Sequence, residues 1–248
     1  MTNWAVALWS LPLLVAVPIY SRDMYAYVGQ GRLVLNGGDP YSDGISSISN
    51  WFQLGSDSMW AEDGTPYGPV FIWFEALSVG AAGQSVEWAI FNLRLFAVMG
   101  LMLALIFTPL LARQHGIDPG RAQWLATANP LVLISYVASG HNDVIMVGLA
   151  LGAVYFAIRR DGVLAVILLT LSVGIKPITI VLLPFIGMMW AGNGSSWAKK
   201  FLYWCYSGGI FLAIMTVIGM LNGYGFGWVK VMLGTGTGYT FWSPVGFI

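Results

Sequence analysis

Residues 88–112, 122–137, 144–158, 163–175, 178–190 and 201–221 form a run of apolar stretches, joined by polar connections of only a few residues each. A helix crosses the hydrocarbon core of a bilayer with about 20 apolar residues, so a succession like this makes lipid the solvent for most of the chain. Composition agrees. Of 248 residues 57% are hydrophobic and 9% charged, against about 25% charged in ordinary soluble domains. The 12 Trp and 11 Tyr are side chains that membrane interfaces favour. The chain is therefore expected to be a single all-α polytopic membrane domain, residues 1–248. So apolar a composition excludes a disordered chain. A net charge of zero without a basic run disfavours nucleic acid as a partner. Cys205, the one cysteine, excludes an internal disulfide framework and a Cys-based zinc site.

A further apolar segment, residues 4–20, opens the chain. It lacks the basic segment and the small-residue cleavage site of a signal peptide, so it is read as a first span. Residues 21–68 are polar, with Asp23, Asp39, Asp43, Asp57, Glu62 and Asp63 against only Arg22 and Arg32. The cations orient the remainder. Arg113 with Arg121, Arg159 with Arg160, and Lys199 with Lys200 occupy three short connections, which the positive-inside bias puts in the cytoplasm. The acidic loop then lies outside, and residues 70–79 cannot be a full crossing on this orientation; the alternative, a real short span, would put Arg113 and Arg121 outside, against the charge bias. Residues 70–79 are also too short, between Pro66 and Pro69 before and Gly80 and Gly83 after, and read as a juxtamembrane helix within an outer loop 21–83. The expectation is a plasma-membrane, multi-pass bundle of about seven transmembrane helices. The segments around Lys176 have only about 13 apolar residues each, short of a crossing, and half-depth helices of that kind usually line a cavity. Residues 233–248 read as a Gly-rich loop and the opening of another helix, so the chain is taken as part of a longer protein.

In this topology the informative polar residues collect on the outer side. Asp23, beside Arg22, is placed for a general base or for a cap on the next helix; position alone leaves both open. Asp39 and Tyr41, in Asn36-Gly-Gly-Asp-Pro-Tyr41, form a turn by composition, and Asp39 is also suited to a sugar hydroxyl. Trp60 and Tyr67, in an aromatic and Pro-rich stretch, suit sugar stacking as well as interfacial anchoring. His141-Asn142-Asp143 offers more polar groups than a helix cap needs. Lys176, a lone cation between apolar half-helices, calls for an anion such as phosphate, or for snorkelling. Arg94 is suited to the same anion or to pairing with Glu87 or Glu75. No Walker loop, HExxH or GxSxG motif occurs, which disfavours a nucleotide-dependent cytoplasmic enzyme.

Taken in order, Ser-Arg-Asp23, Tyr25-x-Tyr27, Asp39-Pro-Tyr41, Trp60-x-x-x-x-Thr65-Pro-Tyr-Gly-Pro69, Gly140-His-Asn-Asp143 and Lys176-Pro177 resemble the actinobacterial polyprenol-phosphate-mannose-dependent α-1,6-mannopyranosyltransferases, members of the GT-C membrane glycosyltransferases. The resemblance implies a GT-C-like bundle that transfers mannose from polyprenyl phosphomannose to an α-1,6-mannan or lipoglycan acceptor on the extracytoplasmic face. It implies Asp23 as the acidic residue near the acceptor hydroxyl, and Lys176, with Arg94 or His141 assisting, on the donor phosphate. Arg22, Asp39, Tyr41, Trp60, Tyr67, Asn142 and Asp143 are the expected acceptor or sugar ligands. No cofactor is expected; a divalent metal occurs among GT-C enzymes, but the sequence offers no ligand set for one. A transporter or lipid flippase, or a GT-C enzyme using another polyprenyl phosphate sugar, are the alternatives.

Overall fold

A computed structural model describes residues 2–234. The Gly-rich stretch and helix opening expected beyond Gly234 lie outside the described residues. Among the described residues every regular element is a helix, with residues 36–68 mostly irregular: α1 (Thr2–Val15), α2 (Asp23–Leu35), α3 (Pro69–Ala82), α4 (Val86–Gln114), α5 (Pro119–Thr127), α6 (Pro130–Leu133), α7 (Asp143–Ile158), α8 (Gly162–Ile175), α9 (Leu183–Ala191), α10 (Trp197–Asn222) and α11 (Gly227–Gly234). A π turn (Ile134–Ala138) follows α6, and a 3-10 segment (Pro177–Leu182) precedes α9.

Two of these, α4 and α10, are long and apolar enough to cross a membrane; a third span results if Pro130–Ala138 and Asp143–Ile158, bent by 113°, count as one. α10 leaves Phe201, Met220 and Leu221 exposed, apolar area that lipid covers without cost and water does not. The main core joins α2, α3, α4, α7 and α8 through Met24, Tyr27, Ile72, Leu93, Ile145, Leu169 and Val173. A smaller cluster of Val6, Ala97, Leu101, Val137 and Val144 docks α1.

The structure departs from the simplest reading of the sequence at Pro18, Pro130 and Gly140, whereas α4 continues through Pro109 and α1 through Pro12. α1 stops at Val15 instead of continuing to Tyr20, because Pro18 has no N–H for the Leu14 carbonyl and disfavours helix before it. Residues 122–137, expected as one helix, come in pieces: Pro130 occupies the first position of α6 and Asn129 caps it, its side chain accepting from the Leu131 N–H. Gly140, at φ +67°, supplies the left-handed turn between the π turn and α7, in a crowded spot where a Cβ would run into the Met24 side chain. The start of the polar loop is itself a helix: α2 buries Met24, Tyr27, Val28 and Gln30 and lies against α3.

Candidate active site

The chemistry-bearing residues stand where α2 and α7 begin and where α8 ends. Ser21 accepts the Asp23 N–H at 3.1 Å, so the capping task falls to the serine and the Asp23 carboxylate is free for other work. Asp23 Oδ2 lies 3.0 Å from His141 Nδ1, both side chains partly exposed. The hydrogen bond from His141 holds the Asp23 carboxyl below its ordinary value; burial opposes this, while the charge of His141, the Ser21 hydroxyl and Lys176 reinforce it.

Lys176, at the C-cap of α8, donates to both oxygens of Asp143, at 2.9 and 3.0 Å. Its ammonium also sits 5.8 Å from the centre of the Tyr67 ring, within cation–π range. An ammonium has three donors, so one remains for a further acceptor. Tyr67 reaches this position because Gly68 passes close against Gly174, where a Cβ would meet the backbone, and because the Gly68 N–H bonds to the Ile175 carbonyl at 2.9 Å. Burial raises the Tyr67 and Tyr41 phenols well above their ordinary range, so both are neutral hydrogen-bonding groups at working pH.

Two cavities meet at Asp23 and Trp60. A hollow of about 580 Å³ is lined by Pro18, Ser21, Arg22, Asp23, Tyr25, Asp57 and Trp60. A larger one, about 740 Å³, is lined by Asp23, Ala26, Gln30, Tyr41, Trp60 and Tyr67 on one side and reaches Lys230 of α11. Asp23, His141, Asp143, Lys176 and Tyr67 are thus brought together, with Arg22, Trp60 and Tyr41 on the cavity walls. Asn142, next to His141, is 2% exposed; neither its amide oxygen nor its nitrogen has a partner, and it makes no cap bond to α7.

The structure does not bring every expected residue there. Arg94 donates instead to the carbonyls of Leu14 and Ala138, at 2.9 and 2.6 Å, beside an apolar groove between the end of α1 and the start of α4. Among the described residues it forms no ion pair with Glu75 or Glu87. Asp39 is occupied with its own turn, accepting the Tyr41 N–H at 2.9 Å. Two buried residues escaped the sequence reading of the site. Glu75 is fully buried and neither carboxyl oxygen has a partner; Gln30 is 8% exposed, its side-chain oxygen likewise unpaired. A lone acid in an apolar run was a visible signal for Glu75, whereas Gln30 gains meaning only once α2 is known to be a helix. Among the described residues no three His, Cys, Asp or Glu side chains cluster as metal ligands.

Among the described residues, helices with apolar outer faces and two adjoining cavities near the start of α2 make the architecture of a membrane protein. The chain belongs to the alpha-(1->6)-mannopyranosyltransferase family, whose model for the N-terminal domain matches residues 1–192. It is 33% identical, over 96% of its length, to a probable alpha-(1->6)-mannopyranosyltransferase of Mycolicibacterium smegmatis. Identity to alpha-(1->6)-mannopyranosyltransferase A is 32% for the Mycobacterium tuberculosis protein, over 92% of the chain, and 30% for that of Corynebacterium glutamicum, over 73%. The chain covers 48%, 45% and 37% of these relatives, a little under half of the longer-matched two. No solved structure matches it.

Proposed function

We propose that this chain is the N-terminal part of a GT-C membrane enzyme that transfers mannose from polyprenyl phosphomannose to an α-1,6-mannan or lipoglycan acceptor on the outer face of the plasma membrane. The shorter apolar helices complete seven crossings together with α4 and α10, and α3 lies along the outer leaflet; the cations of the three short connections support that orientation. The observation that carries the reading is Asp23: a carboxylate kept ionised by His141, 3.0 Å away, at the junction of two cavities.

The chemistry follows from that position. The Asp23 carboxylate takes the proton of the acceptor hydroxyl as the hydroxyl oxygen forms its bond to the anomeric carbon. The bond from that carbon to the phosphate oxygen breaks on the opposite face, and the phosphate leaves with the electron pair. A β-linked donor therefore gives an α product in one in-line displacement. Lys176, oriented by Asp143 and Tyr67, meets the departing phosphate with its remaining donor, and His141 holds the base in place. Trp60, Tyr67 and Tyr41 supply faces and hydroxyls to the acceptor, with Arg22 and Asn142 at the edges of the site.

In the complete protein, Asp23→Asn keeps the side-chain shape and removes the base. Transfer from polyprenyl phosphomannose to a short mannoside is expected to fall by at least 10²-fold, the low end of what general base catalysis supplies. Transfer at the wild-type rate would remove Asp23 from the mechanism.

A further inference from the structure

Asp23, Ala26 and Gln30 all line the larger cavity. Their spacing of three and then four residues sets them on one face of α2, with the small Ala26 leaving open space between the two polar side chains. Gln30 is 8% exposed and Tyr41 7%. Both belong to the cavity wall, and neither the Gln30 side-chain oxygen nor the Tyr41 hydroxyl has a hydrogen-bond partner. Buried polar groups are nearly always paired. Both atoms are themselves closed to solvent, but they belong to side chains that line one cavity, which marks it as a place where a ligand's hydroxyl groups can pair them once those side chains turn.

Distance defines which part of a ligand that is. Seven residues of helix separate Gln30 from Asp23, about 10 Å at 1.5 Å per residue. The ring that reacts must put its hydroxyl within about 3 Å of the base, so it lies at the Asp23 end. The Gln30 end belongs to a ring further along the same saccharide, and Tyr41, whose buried phenol feels the charges of Glu75 and Asp39 and not that of Asp23, is assigned to it. Trp60, which lines both cavities, stands at the junction and offers a flat apolar face to the sugar between. The amide torsion of a glutamine is soft, so a small rotation turns either its oxygen or its nitrogen to the cavity surface.

Building on the proposed transfer reaction, we propose that Gln30 and Tyr41 form an acceptor subsite for a sugar ring beyond the reacting one, which makes the enzyme favour an oligosaccharide over a single mannose. The test uses the full-length protein in detergent, with methyl α-mannoside, the α-1,6-mannobioside and the mannotrioside as acceptors. Gln30→Leu removes the unpaired amide without opening a cavity, and Tyr41→Phe removes one hydroxyl. In each variant the ratio of kcat/KM for the trioside to that for the monomannoside is expected to fall about tenfold, the effect of one lost hydrogen bond of about 1.4 kcal/mol. An unchanged ratio overturns the subsite while leaving the transferase reading intact. If the wild type transfers no mannose at all, the transferase reading fails and the subsite is read directly. Saturation-transfer NMR with the mannotrioside and no donor then supports it if signals of the non-terminal rings weaken in Gln30→Leu, and overturns it if wild type and variant give the same spectrum.

Discussion

Replacing Arg94 separates two accounts of a buried cation. If Arg94 served as an anion ligand its charge would matter most, and Arg94→Lys would preserve much of its effect. The structure gives it a different task. Pro18 has no N–H, so the Leu14 carbonyl has lost the partner that a continuing helix would supply, and Arg94 donates to that carbonyl at 2.9 Å and to the Ala138 carbonyl at 2.6 Å. One guanidinium thus ties the end of α1 to the turn that carries His141. A hydrogen bond to a charged group contributes about 1.5–3 kcal/mol. Two such bonds, offset by the cost of burying the charge and by an Nε with no partner, suggest a net loss of about 3 kcal/mol on Arg94→Met. Lysine lacks the planar fork that reaches two carbonyls at once, so Arg94→Lys is expected to recover less than half of that. Unfolding of the purified protein in mixed micelles, titrated with a denaturing detergent, measures both variants. Transfer kinetics should show kcat falling more than donor KM rises, since the damage is to the placement of His141 and Asp23. Near wild-type stability in Arg94→Lys, with only the donor KM changed, would refute the carbonyl-tie account.

His141 makes the largest contribution to lowering the Asp23 titration. Removing it with His141→Ala should move the acidic limb of the kcat/KM profile to higher pH, because the base is active only above its own pKa; a limb that stays in place would separate His141 from Asp23. Gly68→Ala puts a methyl group against the backbone of Gly174. Overpacking of this kind costs about 1–3 kcal/mol, and it should also draw Tyr67 away from Lys176, visible as a lower unfolding midpoint together with a raised donor KM. Full activity in that variant would show that the contact between the outer loop and α8 does not position the site.

The grouping of polar residues at the candidate site was legible because a membrane chain has few places for polarity. Asp23, His141, Asp143 and Lys176 stand between apolar runs, and polar groups at the ends of neighbouring packed helices have little room to be far apart. Pairing within the set was not legible. The sequence does not say that Asp143 is the residue that engages Lys176, or that Ser21 relieves Asp23 of capping, since both depend on side-chain directions across separate elements. Arg94 was misleading for a clear reason. A buried arginine invites an anion, but its partners are backbone carbonyls, one of them released by a proline 76 positions earlier, and carbonyls carry no sequence signature. The sequence suggested a helix after Asp23 but not the extent of α2 to Leu35. Its glycines, Gly29 and Gly31, lower helix propensity, and packing against α3 decides its conformation.

The helix breaks and the site have a common origin. Each chemical residue follows closely on a residue that stops a helix or is itself at the stop: Pro18 before Asp23, Gly140 before His141, and Lys176 before Pro177. A break inside lipid leaves backbone groups unpaired and is tolerated only where protein or water satisfies them. Here protein does so through Arg94 at the first break, through Ser139, which donates to the Ile19 carbonyl, and through the Gly68 N–H at the carbonyl of Ile175. Those side chains and loops converge because the breaks need them, and the loop they hold against the start of α2 forms the cavity walls, from Pro18 and Ser21 through Asp57 and Trp60 to Tyr67. Continuous helices through Pro18, Gly140 and Pro177 would satisfy their own backbones and leave no free Ile175 carbonyl for the Gly68 N–H to dock on. The features that make these segments poor membrane spans are therefore the ones that gather the Asp23–His141 pair and the Lys176–Asp143 pair at neighbouring helix ends.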